Sequence, residues 1–293
     1  MTEQAFGGDW TESKLACLRE YLTKYRAIFT KNQRASYYTT WYVDAFAGTG
    51  TRASGDTQRG QRNTDDVGSD PDAVAYLNGS AMIALGLESP FDRYLFVEKS
   101  RAKAAELRAT IANRFPQLAP RCEIRQEDAN TAISNWSKQR DWQKERAVVF
   151  LDPFGMQVDW EMVSILGSTK AIDLWYLFPF IARLLTHDQK IEDSWRKRLD
   201  KLFGTTDWEG HFYKRQIKTD LFGDFEDTQR DATAENIQRY IESRLHTCFA
   251  DVAPSLILRN SKKSPLFALC FAVGNEKGAP IAIRIAMSIL KER

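Results

Sequence analysis

The chain has 293 residues, enough to bury a sizeable core as one large domain or two small ones. An apolar fraction of 43%, with 12% aromatic residues, excludes a disordered polymer. With 41 basic against 39 acidic side chains there is no whole-molecule field to recruit nucleic acid, so any basic patch must be local.

The opening MTEQAFGGDW has neither a basic head nor an apolar run, so no signal peptide is read there and a cytoplasmic location is expected. Residues 11–30 then place Leu15, Leu18, Leu22, Tyr25, Ala27 and Phe29 near helical spacing, with Thr11 as the expected cap. Lys14 in this helix reads first as a surface residue. WYVDAF is a short strand of aromatic and branched residues that stops at a glycine turn, AGTG. Residues 51–72 are polar and rich in Gly, Thr, Asp and Arg, too long for an ordinary connection and so either a functional loop or disordered.

A helix over DAVAYLNGSAMIALGL, broken near Gly79, leads to the strand RYLFVEKS and the helix RAKAAELRATIANRF, ended by Pro116. CEIRQEDA is the next strand and TAISNWSKQRDW the next helix. RAVVFLDPFG carries four consecutive apolar residues, as a strand buried on both faces requires. EMVSILGS is a short helix and AIDLWYLFP another buried strand. The apolar stretch around it carries Asp173, Pro179 and Arg183, which suits a core strand and not a membrane span.

Residues 180–232 break the rhythm, being charged, aromatic and weakly periodic. After them TAENIQRYIESRLHTCF reads as a helix, SLILRN and LFALCFAVGN as two strands, and PIAIRIAMSILKER as a terminal helix with Pro280 near its start. Strands alternating with helices argue for a doubly wound, mostly parallel α/β sheet. The two late strands are separated by a handful of residues and must pair as an antiparallel hairpin.

The four cysteines, Cys17, Cys122, Cys248 and Cys270, form no C-x-x-C pair, which argues for buried free thiols over a disulfide framework or a zinc site. His187 and His211 are isolated, so no metal site is expected.

In an open α/β sheet, ligands bind beyond the carboxyl ends of the strands, near the switch in strand order. Four strands end in distinctive residues. The first runs from Asp44 through Phe46 to Gly48 and Gly50, where small residues let backbone approach a ligand. The second ends in Glu98, whose carboxylate can accept two ribose hydroxyls. The third ends in Glu127-Asp128-Ala129-Asn130, which can meet an adenine amino group. The fourth ends in Asp152-Pro153-Phe154-Gly155. Singly, such residues make turns or cap the next helix. Their succession at the ends of consecutive strands points to a nucleoside-bearing cofactor.

VDAFAGTG resembles the first motif of class I S-adenosylmethionine (SAM) methyltransferases, in the D-x-F-x-G-x-G style of those acting on adenine amino groups. The order WYVDAFAGTG, NGSAM, LFVEKS, QEDAN and VFLDPFG, after a helix bearing Lys14, is similar to the three-Cys-motif partner protein family. Members of that family look like methyltransferases, and their genes lie beside a radical-SAM-like protein. The resemblance covers roughly residues 10–185. It implies a Rossmann-like sheet of seven strands with the closing hairpin. It further implies one methyltransferase-like domain over 1–293, with insertions at about 51–72 and about 180–232, and a radical-SAM-like partner. The implied SAM-binding set is Lys14, Asp44, Phe46, Gly48, Gly50, Ser80, Glu98, Lys99, Asp128, Ala129 and Asp152, with Asp44 and the glycines at the methionine end.

The fourth motif selects the chemistry. An exocyclic amine on a base is a poor nucleophile because its lone pair is delocalised into the ring. A carboxylate and a backbone carbonyl that accept its two hydrogens localise that pair, roles that fall to Asp152 and Pro153, with Phe154 stacking on the base. The adenine pattern is Asp/Asn-Pro-Pro-aromatic, whereas Asp-Pro-Phe-Gly is similar to the motif of tRNA guanine-N2 methyltransferases. Adenine and guanine both stay open, as does a non-catalytic binding module. Contacts to nucleic acid are expected from Arg52, Arg59 and Arg62 in the first insertion. In the second they are expected from Arg196, Lys197, Arg198, Lys214 and Arg215, where bases and aromatics interleave.

Overall fold

A computed structural model describes residues 9–49, 79–180, 191–220 and 223–292, with side chains at all of these except 9–11 and 214–230. Helix α1 (Asp9–Lys31) begins two residues before the expected cap, so Thr11 lies inside its first turn. Its buried stripe is Lys14, Leu15, Leu18, Tyr21, Leu22 and Tyr25, which recurs at the three- and four-residue spacing of one helix face. Strand β1 (Thr39–Asp44) follows. The helix expected around Gly79 is described only as α2 (Ser80–Leu85); its earlier half, like the 51–72 insertion, lies outside the described residues.

Next come β2 (Arg93–Val97), α3 (Arg101–Arg114), β3 (Cys122–Arg125), α4 (Ala129–Lys138), β4 (Glu145–Leu151), α5 (Trp160–Ser168) and β5 (Ile172–Pro179). Ser100 caps α3 by accepting the Lys103 N–H. All eight residues of β5 are buried, which is why it reads as an apolar and aromatic run interrupted only by Asp173.

The chain then forms α6 (Asp193–Phe203), α7 (Trp208–Phe212) and a two-stranded hairpin, β6 (Tyr213–Asp220) with β7 (Gly223–Arg230). The described part of 180–232 adds a packing role to the one expected of the insertion. Leu199, Leu202, Phe203, Trp208 and Phe212 are all buried in the same cluster as β5, so part of this insertion is structural core. Helix α8 (Ala234–His246), strands β8 (Asp251–Arg259) and β9 (Pro265–Val273), and α9 (Ala279–Lys291) complete the described chain, with Pro280 in the first turn of α9 as expected.

The large sheet runs β3-β2-β1-β4-β5-β9-β8. Its first five strands are parallel, and β9 enters antiparallel between β5 and β8. This bears out the doubly wound α/β reading with a closing hairpin, and it is the strand order of the seven-stranded methyltransferase sheet. Alternate residues of each strand feed opposite faces. Trp41, Val43, Val149 and Leu151 pack toward α4, α5, α6 and α8, while Tyr42, Val148 and Phe150 pack toward α1, α2 and α9.

Helix α1 lies antiparallel to the strands it covers. Lys14 reaches the end of β4, Tyr21 Oη donates to Asp173 near the start of β5 (2.6 Å), and Arg26 donates to Thr40 at the start of β1. Of the cysteines, Cys17 and Cys270 are buried, while Cys122 and Cys248 are only half-buried, short of the expectation for all four. No helix among the described residues is long and apolar enough to cross a membrane.

Candidate functional site

The strand order reverses between β1 and β4, so the crevice that an open sheet offers to a ligand lies where these two strands end. Asp44 ends β1, and Asp152 follows the last residue of β4. The register pairs Asp44 with Phe150, which brings the two acids to one edge. Both are buried.

A buried carboxylate needs partners. Asp44 accepts the Ser80 hydroxyl at 2.5 Å and the Phe46 N–H at 3.2 Å, and Tyr42 Oη lies 3.4 Å from it. Burial pushes its carboxyl pKa up to about 6, against the lowering effect of the Ser80 and Phe46 hydrogen bonds. Asp152 Oδ2 accepts Lys14 Nζ at 2.7 Å. Burial also raises the Asp152 carboxyl, while the Lys14 ammonium holds it down. Lys14 is fully buried, and desolvation lowers its ammonium to about 8 despite Asp152 and the more distant Asp44. The ammonium also sits 5.2 Å over the Phe150 ring. Lys14, expected among the cofactor contacts, is therefore spent at least in part on the fourth-motif acid.

The turn after β1 is held to the neighbouring strands by backbone hydrogen bonds. Ala45 N–H donates to Phe150 O (3.1 Å) and Ala47 N–H to Val97 O (2.9 Å). Gly48 has φ 59°, a left-handed backbone that glycine adopts at little cost and that a side chain would strain. Gly50 lies outside the described residues.

At the end of β2, half-buried Glu98 accepts the Ser100 N–H through Oε1 at 2.7 Å, and Lys99 is exposed. At the end of β3, exposed Asp128 caps α4, accepting Asn130 N–H at 3.0 Å and Thr131 N–H at 3.3 Å. Both bonds fall on Oδ1, so Oδ2 is not used by the cap. Ala129 is buried behind it.

Pro153 is buried, and Phe154 is half-buried. Two residues that sequence reasoning missed or underused shape this loop. Gln157 Oε1 accepts the Phe154 N–H at 3.2 Å, and its main-chain oxygen accepts Asn130 Nδ2 at 2.9 Å. Asn130 Oδ1 accepts the Asp159 N–H at 2.8 Å. The third motif is thus tied to the loop that follows the fourth. A glutamine two residues past Asp-Pro-Phe-Gly gave no signal of this; its role is set by a residue 27 positions away.

Of the basic residues expected to meet nucleic acid, Lys197 and Arg198 are exposed on α6, while Arg196 pairs with Glu209. The side chains of Lys214 and Arg215 lie outside the described residues, as do Arg52, Arg59 and Arg62. A groove of about 800 Å³ lies elsewhere, between α1, α2 and the end of α3, lined among others by Arg19, Met82 and Arg114; none of the strand-end acids lines it.

No family model matches the chain, and no curated protein matches it either. The three-Cys-motif partner resemblance therefore stands on its motifs alone. Among solved structures, protein LPL1258 from Legionella pneumophila is similar over 97% of this chain and 92% of its own, at 11% identity and TM-score 0.45. Trm1 from Pyrococcus horikoshii, solved with S-adenosyl-L-methionine, is similar over 92% of this chain and 58% of its own, at 10% identity and TM-score 0.45. A structure described as a putative S-adenosylmethionine-dependent methyltransferase from Listeria monocytogenes is similar over 85% and 97%, at 10% identity and TM-score 0.37. At such scores the assignment of the sheet rests on its own strand order.

Proposed function

We propose that the chain is a SAM-dependent methyltransferase acting on an exocyclic amino group of a nucleobase in DNA or RNA, of the adenine-N6 or guanine-N2 type. The observation that carries this reading is the placement of Asp152-Pro153-Phe154-Gly155 at the switch point, beside the Asp44 turn. The surrounding residues fit the cofactor: a small-residue turn at Gly48, a carboxylate at Glu98 for the ribose, and Asp128 Oδ2 for the adenine amino group. When bound, SAM supplies an electrophilic methyl group on a sulfonium.

The chain's own part is to hold the amine. Asp152 and the Pro153 carbonyl accept its two hydrogens, which draws the nitrogen lone pair out of conjugation and toward the methyl group. Phe154 stacks on the base. The nitrogen gains the methyl and gives up one proton, for which the Asp152 carboxylate is the adjacent acceptor. A target base inside a duplex has to be flipped out, or the substrate is single-stranded. Lys197 and Arg198, together with the 51–72 insertion, are the contacts we assign to the polymer, and residues 1–293 are read as one such domain.

Equilibrium dialysis against SAM is the first test, and absence of binding at millimolar cofactor overturns the proposal. Mass spectrometry of nucleosides from cells with and without an active copy then identifies the base.

A second reading has an observation of its own. Gly155 fills the last position of the adenine pattern, and the aromatic Phe154 comes one place early. These suit a non-catalytic partner of a neighbouring radical-SAM-like protein. Co-purification with that gene product, with no methylated base on any nucleic acid, favours it.

A further inference from the structure

Lys14 is the first charged residue of α1 with a described side chain that is buried, and its ammonium ends on the acid to which the proposed chemistry assigns the amine. A lysine carries a long, entropically free stem and a strongly hydrated head, so it is seldom buried without a charged partner. Here the apolar stripe of the helix carries it inward. Lys14 precedes Leu18, Tyr21 and Tyr25 on that stripe, and these pack against Trp175, Phe271 and Phe91. The helix is fixed at its other end by Tyr21 on Asp173 and Arg26 on Thr40. The ammonium is therefore delivered by a rigid element, whereas a surface lysine would wander.

Among the described residues the ionisable groups facing Asp152 are few. Lys14 comes from α1, and Asp44 and Tyr42 from β1; Ser80 of α2 donates to Asp44. Among the described residues Lys14 is the one cation that the buried Asp152 carboxylate touches. Burial opposes ionisation of Asp152, and Lys14 opposes burial by its charge and its hydrogen bond; Asp152 in turn raises the carboxyl of Asp44. A protonated Asp152 would lose one of its acceptor oxygens and could not receive the proton that the amine gives up.

We propose that Lys14 is a positioning residue for amine methylation: clamped to Asp152 Oδ2, it keeps that carboxylate ionised and reserves Oδ1 as the acceptor for the target amino group. This rests on the methyltransferase reading above for its purpose, but not for its physics. Lys14 acts through Asp152 and is not itself a catalytic residue.

The test is a carboxyl titration on the full chain labelled with [13Cγ]aspartate, with the Asp152 signal assigned by its loss in Asp152→Asn. In Lys14→Met the Asp152 midpoint should rise by about one unit or more, a tenfold or greater gain in proton affinity, and Lys14→Arg should restore most of the difference. SAM affinity should change by no more than about threefold if the role is positional. An unchanged Asp152 midpoint in Lys14→Met overturns the proposal. Should Lys14→Met not fold, the reciprocal measurement serves: [13Cε]lysine titration in Asp152→Asn should show the Lys14 midpoint falling below that of the wild type, and an unmoved midpoint overturns the idea. Failure of the wild type to bind SAM defeats the methyl-transfer reading while leaving the titration result standing, so the two are told apart.

Discussion

Lys14 and Asp152 are 138 positions apart in sequence and 2.7 Å apart in space, with side chains 0% and 5% exposed. That pairing changes how the fourth motif should be mutated. Removing one partner of a buried ion pair leaves an uncompensated charge and costs about 3–5 kcal/mol. Asp152→Ala is therefore expected to lose about that much stability as well as all methyl transfer. Asp152→Asn keeps an acceptor for the Lys14 ammonium and should cost about half as much or less. Urea denaturation of both variants checks this. A loss under about 1 kcal/mol in Asp152→Ala would mean that the ammonium escapes to another partner.

Asp173 links stability to pH. Burial pushes its carboxyl up to about 7, although the Tyr21 hydroxyl and Arg146 both favour its charge. The folded chain therefore holds this proton more tightly than the unfolded chain does. Its contribution is fully present below the ordinary aspartate range near 3.8 and is lost as pH rises through about 7. Asp173→Asn keeps an acceptor for Tyr21 and removes the titration. The fall of unfolding free energy between about pH 4 and 7 should become shallower, so that the stability of the variant relative to wild type is higher at pH 8 than at pH 4 by on the order of a few kcal/mol. Identical pH profiles for wild type and variant would refute the assignment.

Gly204 ends α6 with φ 66°, and a Cβ there would overlap the Trp160 side chain. Two penalties coincide. A left-handed conformation costs an alanine about 1–2 kcal/mol, and forcing the Trp160 ring aside adds about 1–3 kcal/mol. Gly204→Ala should thus lower stability by about 2–5 kcal/mol, read from the denaturation midpoint. Gly155, also left-handed at φ 70° but with nothing among the described residues within 4 Å of its Cβ position, should lose only the backbone part on the same substitution.

How much of this was legible depended on range. The strand ends were, because β1, β2, β4 and β5 announce themselves as branched and aromatic runs stopped by Asp, Glu or Pro. The closing hairpin was legible from the short gap between its strands. Lys14 was half legible: it falls on the apolar stripe with Leu18, Tyr21 and Tyr25, a spacing that argues for burial, yet no local signal names Asp152 as the reason. Helix α6 was hidden by its own surface, since SWRKRLDKLF shows mostly charge while Leu199, Leu202 and Phe203 supply a narrow buried edge. Gln157 was invisible, because its work is hydrogen bonding to Asn130 and Phe154 in a loop without periodicity.

Asp128 offers the sharpest separation between a structural and a binding role. Its Oδ1 caps α4, a task that serine performs about equally well. Asp128→Ala should cost about 0.5–2 kcal/mol of stability, whereas Asp128→Ser should stay within about 0.5 kcal/mol of wild type. If Oδ2 also meets the cofactor adenine, serine cannot replace it, and SAM affinity should fall about tenfold in Asp128→Ser at unchanged stability. Thermal unfolding and equilibrium dialysis on the same preparations decide between the roles. Unchanged affinity in Asp128→Ser would leave Asp128 as a helix cap and shift the adenine contact to another residue at the end of β3.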